Sequence, residues 1–196
     1  MAFSVLVPLL LSGCLFKKTT VHVRHFILSP TATNEPVATE PLSVGLAGVK
    51  MPAYLLRDSL SIRDGGTEVE FLEDARWGER LDLSFQRAVA ANLAQLLPGG
   101  NVYSTEWIRS QVMARVSINV QQFDVDARGQ GTLIVRWRIT GPDNDTPLKS
   151  DTTRYERTGP SPRGNPEAIA ATLSELTAEF SRELARAIHE TSKIKP

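Results

Sequence analysis

Large apolar residues recur every three or four positions along two long stretches of the chain. Leu81, Phe85, Val89, Leu93 and Leu96 fall on one face of a helix over 80–97, which Pro98, Gly99 and Gly100 terminate. A longer stripe of Ile169, Leu173, Leu176, Phe180, Leu184 and Ile188 predicts a second helix, with Asn165 placed to cap it and Pro166 at its first position. Glu167 and Glu175 sit early in that segment and Arg182, Arg186 and Lys193 late, which complements the helix dipole. Each stripe reads as a face packed on a sheet rather than one offered to a partner.

Elsewhere the period falls to two. Alternating or β-branched runs predict strands over 21–29, from 42 up to the Pro52 stop, over 112–125 and over 133–139. Residues 59–72 predict a hairpin, with Leu60 and Ile62 on one face of its first arm and Val69 and Phe71 on one face of its second. Asp64, Gly65 and Gly66 supply its tight turn. The parity of buried positions slips at Gln121 and Gln122, which predicts a bulge. Residues 148–158 form a more polar strand suited to a sheet edge. Pro30, Pro36 and Pro41 mark 30–41 as an extended linker. Together these elements predict one α+β domain over 21–192, an antiparallel β-sheet with two long helices packed on one face.

Charge and chemistry narrow the function classes. Lys plus Arg and Asp plus Glu both number 22, and a neutral chain lacks the basic excess that a nucleic-acid binder needs. His22 and His25 are three apart on a predicted strand, so they point to opposite faces and make no joint metal site. "DVDARG" at 124–129 begins like a calcium loop, but Arg128 and Val135 occupy positions that need oxygen ligands, so it reads as a hairpin turn. The acidic run Glu68, Glu70, Glu73 and Asp74 reads as a solvated face. No nucleophile elbow, phosphate-cradling glycine loop or paired metal-ligand motif occurs. The expectation is a protein that is not an enzyme and holds no metal or cofactor.

The N-terminus has its own pattern. "AFSVLVPLLL" is ten residues without a charge, about 15 Å as a helix, which is half of a hydrocarbon core and the length of a signal-peptide centre. Cys14, the only cysteine, follows at once. It could be a buried core residue, a reactive thiol or an attachment point for lipid. Leu11, Ser12, Gly13 and Cys14 resemble the lipobox of bacterial lipoproteins at all four positions, which favours attachment. The resemblance implies cleavage after Gly13, a covalent diacylglycerol and N-acyl chain on Cys14, and a lipidated tether over 14–20. Leu15 is not the Asp that marks inner-membrane retention, so the implied address is the inner leaflet of the outer membrane, facing the periplasm.

The stretch "FLEDARWGERLDLSFQRAVAANLAQLL" is similar to the ABC-type transport auxiliary lipoprotein family of the PqiC type. "HFILSP", "VGLAGVKMPAYLLRDSLSIRD", "SINVQQFD" and "VRWRI" match its other segments in order. The chain departs from the family at His25, commonly aromatic, and Gly78, commonly Ala. The resemblance implies a non-catalytic, lipid-anchored accessory subunit of a transport system with MCE-domain proteins, moving lipids between inner and outer membranes. Tyr54, Arg57, Arg76 and Trp77 are the candidate contacts for a partner or for a homo-oligomer, although Trp77 also reads as a residue closing the core. Two other functions stay open: a lipid-anchored scaffold of envelope biogenesis, and a carrier enclosing a ligand between both helices and the sheet.

Overall fold

The computed structural model describes residues 22–32, 36–142 and 146–193. The leader expected over 1–13, Cys14 and the tether to residue 20 lie outside the described residues. Eight strands form one sheet: β1 (Arg24–Phe26), β2 (Ser43–Leu46), β3 (Ser59–Asp64), β4 (Glu68–Trp77), β5 (Asn101–Tyr103), β6 (Ala114–Asp126), β7 (Gln130–Thr140) and β8 (Pro147–Thr158). Helix α1 (Leu81–Leu96) lies between β4 and β5, and α2 (Glu167–Ser192) ends the described chain. This is the expected α+β arrangement.

The sheet is built around β6. One of its edges pairs with β7 along almost its whole length, and β7 pairs in turn with β8. Its other edge is shared, by β2 at residues 114–116 and by β3 at residues 125–126. From there β3 leads to β4 and β1, and β2 leads to β5. The hairpins β3–β4, β6–β7 and β7–β8 are antiparallel as expected, and the β6 register shifts between Val120 and Gln122 where the bulge was predicted. The contacts of β1 with β4, β2 with β5, and β6 with both β2 and β3 are parallel. These link strands that lie far apart in the chain, where a long connection can return to the same end of the sheet.

Both helices present the predicted stripes to the sheet. Phe85 of α1 meets Phe123 of β6 edge to face at 5.2 Å and stacks on Phe180 of α2 at 6.0 Å. Leu81, Val89, Leu93, Leu176, Leu184 and Trp137 are buried around this trio. The helices are also joined by polar groups, since Asn92 Nδ2 of α1 donates to Ser181 Oγ of α2 at 3.3 Å.

Several elements differ from the sequence reading, each for a local reason. The strand expected over 21–29 stops at Phe26, because the next amides find partners on the helices. Leu28 N donates to Ser84 Oγ at 3.1 Å and Ser29 N to Ser174 Oγ at 3.0 Å. Within the expected linker over 30–41 the described residues pack against the fold: Ala32 N donates to Asn92 Oδ1, Val37 N donates to the Leu96 carbonyl, and Ala32, Ala38 and Leu42 are buried. Asn165 supports α2 through its backbone carbonyl, which accepts from Ala168 N, while no side chain caps the helix. In the β3–β4 hairpin, Val69 lies opposite Arg63 and Phe71 opposite Ser61, so both apolar residues of the second arm face away from Leu60 and Ile62. Gly65 and Gly66 of the turn take φ of 60° and 88°, as that turn requires.

Phe85→Ala removes the ring that joins both helices to the sheet. Its expected cost is about 3–5 kcal/mol of stability, read from the midpoint of urea-induced unfolding, whereas Arg76→Ala on the exposed side of β4 leaves that midpoint within about 0.5 kcal/mol.

Candidate docking site

Because β2 covers β6 only at residues 114–116 and β3 only at 125–126, the β6 edge between them needs another cover. The segment after β2 supplies it. Lys50 N donates to the Ile118 carbonyl and the Lys50 carbonyl accepts from Val120 N, after which Pro52 starts a one-turn 3-10 helix over Ala53–Leu56. Leu55, 4% exposed, plugs the opening.

Tyr54 on the same turn closes a polar cluster above the plug. Its hydroxyl donates to Asp124 Oδ2 at 3.0 Å, while Arg63 Nε donates to the same oxygen at 2.8 Å and Arg63 Nη2 to the Tyr54 oxygen at 3.0 Å. Gln122 Nε2 holds the other carboxylate oxygen at 2.9 Å. The Asp124 carboxylate is thus buried but saturated, the condition under which a buried charge is tolerated. Beneath the cluster a cavity of about 10 Å³, room for about one water, is bordered by Ser59, Trp77 and Phe123.

Burial, and then the Asp124 carboxylate beside it, push the Tyr54 hydroxyl from 10.0 up to about 12. Tyr54 is therefore a standing hydrogen-bond donor at neutral pH and a poor proton acceptor. Burial, followed by the Glu183 carboxylate, pushes the Tyr155 hydroxyl upward too, and Tyr155 donates to Glu183 Oε2 at 2.6 Å. Among the described residues no group of three or more His, Cys, Asp or Glu is placed to hold a metal ion.

The four candidate contact residues occupy different surroundings. Trp77 is 8% exposed and packs in the core, its amide donating to the Asp58 carbonyl at 2.6 Å. Tyr54 is half-buried in the cluster just described. Arg57 is exposed and lies over the Phe71 ring at 4.6 Å. Arg76 is exposed on β4, opposite His25 and Ser59. Tyr54, Arg57 and Arg76 therefore remain on or near the surface, and Trp77 holds the scaffold beneath them. Arg63 and Asp124 escape the sequence reading because their pairing joins strands 61 positions apart.

A second recess bears on the carrier hypothesis. A groove of about 650 Å³ runs over the first half of α2, between the β1 strap at Phe26 and Ile27 and the end of β8 at Arg157 to Pro160. It opens to solvent and takes no wall from α1. It is not the enclosed cavity between both helices and the sheet that a carrier would need.

Tyr54→Phe removes one donor to Asp124 and leaves the charge pair, so the expected loss is about 0.5–1.5 kcal/mol. The sign of its pH dependence is fixed. A hydroxyl whose folded value exceeds its unfolded value stabilises the fold fully below about pH 10, and that contribution disappears as pH rises through about 12. The wild-type and Tyr54→Phe unfolding midpoints should therefore converge over that range. A gap that stays constant through it means that Tyr54 is not held in the folded protein as described.

A model of the ABC-type transport auxiliary lipoprotein component matches residues 26–185. Protein XCC0632 from Xanthomonas campestris has a similar structure, with a TM-score of 0.68 at 14% identity, covering 87% of this chain and 97% of its own. A solved uncharacterized protein gives a TM-score of 0.67 at 18% identity, covering 81% of this chain and 99% of its own. The PelC dodecamer protein from Paraburkholderia phytofirmans is more distant, at a TM-score of 0.46 and 13% identity over 80% of this chain and 93% of its own. No curated protein matches the sequence. With the family's model spanning β2 to β8, all of α1 and most of α2, this chain belongs to the ABC-type transport auxiliary lipoprotein family.

Proposed function

We propose that the protein is a non-catalytic accessory subunit of an MCE-type lipid transport system, anchored through Cys14 to the inner leaflet of the outer membrane. The family match over residues 26–185 carries this reading, and the lipobox-like Leu11 to Cys14 supports the anchor. No helix among the described residues is long and apolar enough to cross a membrane, so covalent lipid is the attachment that the sequence offers. Two or more acyl chains, at ~0.8 kcal/mol per buried methylene, hold a domain of this size at a bilayer stably. The transport energy comes from nucleotide hydrolysis in other subunits. This domain contributes a rigid sheet and a docking surface, with Tyr54, Arg57 and Arg76 among the contacts.

Self-association fits the same role. Several tethered copies meeting one multi-subunit partner act at high effective concentration, and a neutral chain adds no net repulsion between copies. The free strand edges, the turn over residues 51–57 and the end of β4 with the residues that follow it to 80 supply the contacts.

Cys14→Ala should abolish labelling by a fatty-acid probe and move the protein from the membrane fraction to the soluble one with its fold unchanged. Retention of the variant with membranes refutes the Cys14 anchor. Co-purification of the wild type with an MCE-domain protein, a permease and an ATPase tests the transport role, and recovery of envelope-assembly proteins alone favours the scaffold. Light scattering of the purified protein at high micromolar concentration should give a mass of several chains; a single monomeric mass rules out self-association.

A further inference from the structure

The sheet face turned away from the helices carries cations that nothing beside them neutralises. Arg136 and Arg138 are exposed on β7, flanking buried Trp137. Their cross-strand neighbours are Asn119 and Ser117 on β6 and Thr152 and Ser150 on β8, all uncharged. Neither arginine makes a hydrogen bond or ion pair among the described residues. Lys50 bridges to Asn119 and so projects from the same face, where it is exposed. The cations on the helix-facing side of β8 are paired instead: Lys149 with Glu190, and Arg157 with both Glu175 and Glu179.

An apolar rim borders this basic field. The Trp107 indole lies flat against Gly45, where an added Cβ would approach it to 2.7 Å, and its Nε1 donates to the Leu46 carbonyl at 3.1 Å. Gly45 pairs with Arg115, and Met113 lies two residues before Arg115 on the same side of the chain. Ile108 and Met113 are 62% and 42% exposed. Glu106, immediately before the indole, is held at φ 54°, a left-handed conformation that L residues adopt at a cost. The loop thus spends backbone strain on placing Trp107 and Ile108 at the edge of the arginines.

We propose that this face is the surface through which the domain lies on an anionic phospholipid bilayer, with the arginines at the lipid phosphates and Ile108 entering the acyl boundary beside Trp107. Aromatic and aliphatic residues bordering unpaired cations match the chemistry of a membrane–water interface. A protein interface would place its apolar residues at the centre and charge at the rim, and would have to desolvate arginines that bring no acid with them. A headgroup layer leaves them hydrated. Proximity to a bilayer rests on the anchor proposed above: eight residues from Cys14 to His22 reach about 28 Å at most, and Lys17 and Lys18 lie on that tether. The chemistry of the face does not depend on the anchor.

The test uses the full lipidated protein with vesicles whose acyl chains are brominated, reading the quenching of Trp107 fluorescence against a Trp107→Phe background; Trp77 and Trp137 are buried. In phosphatidylcholine vesicles containing about a quarter phosphatidylglycerol, Trp107 should be quenched. In pure phosphatidylcholine, or at about 1 M salt where the screening length is about 3 Å, it should not. Arg136→Gln with Arg138→Gln should lower the docked-to-undocked ratio about thirtyfold, the effect of losing two cations at a charged membrane surface, with circular dichroism unchanged. Ile108→Ser should weaken quenching while the salt dependence persists. Equal quenching in neutral and anionic vesicles, or none in either, overturns the proposal. Failure to co-float with neutral vesicles refutes the lipid anchor alone, because quenching by anionic vesicles still reports on the face.

Discussion

The architecture turns on the backbone of one strand. The amides and carbonyls of β6 lie in the middle of the sheet, where each must be paired, and a strand of this length has two edges to satisfy. β7 serves one edge in a single antiparallel ladder. The other is divided among β3, β2 and the Lys50 bridge. The turn that fills the remaining gap sets Leu55 in the core and Tyr54 over Asp124, so the polar cluster is a by-product of closing the sheet. The same division brings Gly45 of β2 beside Arg115, which leaves a flat place for the Trp107 ring.

What could be read from the sequence was whatever depends on neighbours close along the chain. The α1 and α2 stripes, the Gly65–Gly66 turn, the β6 bulge and the polar β8 edge are all set within a few residues, and all stand in the structure. The misreadings have a common physical cause. At Leu28 and Ser29 the local preference is extended, but serines 56 and 145 residues away offer the amides better partners than a strand would. The three residues of β5 carry too short a pattern to register, and they become a strand only because β2 lies alongside. The docking residues divide in the same way. Trp77 could be recognised as large and next to a helix, but its burial depends on Phe26 and on the plug. Trp107 shows no period at all, and its role depends on the absence of a side chain at Gly45.

Neutral overall charge conceals an uneven distribution. The cations of β8 each have a carboxylate partner, and exposed pairs of this kind add little stability while they cancel the field. The outer face of β6 and β7 keeps arginines beside hydroxyls and amides instead. Among the described residues neither Arg136 nor Arg138 gains an ion pair from this placement. The two faces of the sheet are therefore specialised, one for holding the helices and one for meeting something outside.

Combined with the anchor proposed at Cys14, that separation would give the domain an orientation as well as a location. A lipid at Cys14, as proposed, would fix distance from the bilayer but leave the domain free to turn. A charged face with an apolar rim removes that freedom, because only one orientation brings the arginines and Ile108 to the headgroups together. The Tyr54, Arg57 and Arg76 surface lies on the β3–β4 side of the sheet, away from β7 in the strand order. Copies held in one orientation would present the same edges to one another and to an arriving subunit, and the ordering cost of association would be met in part before contact.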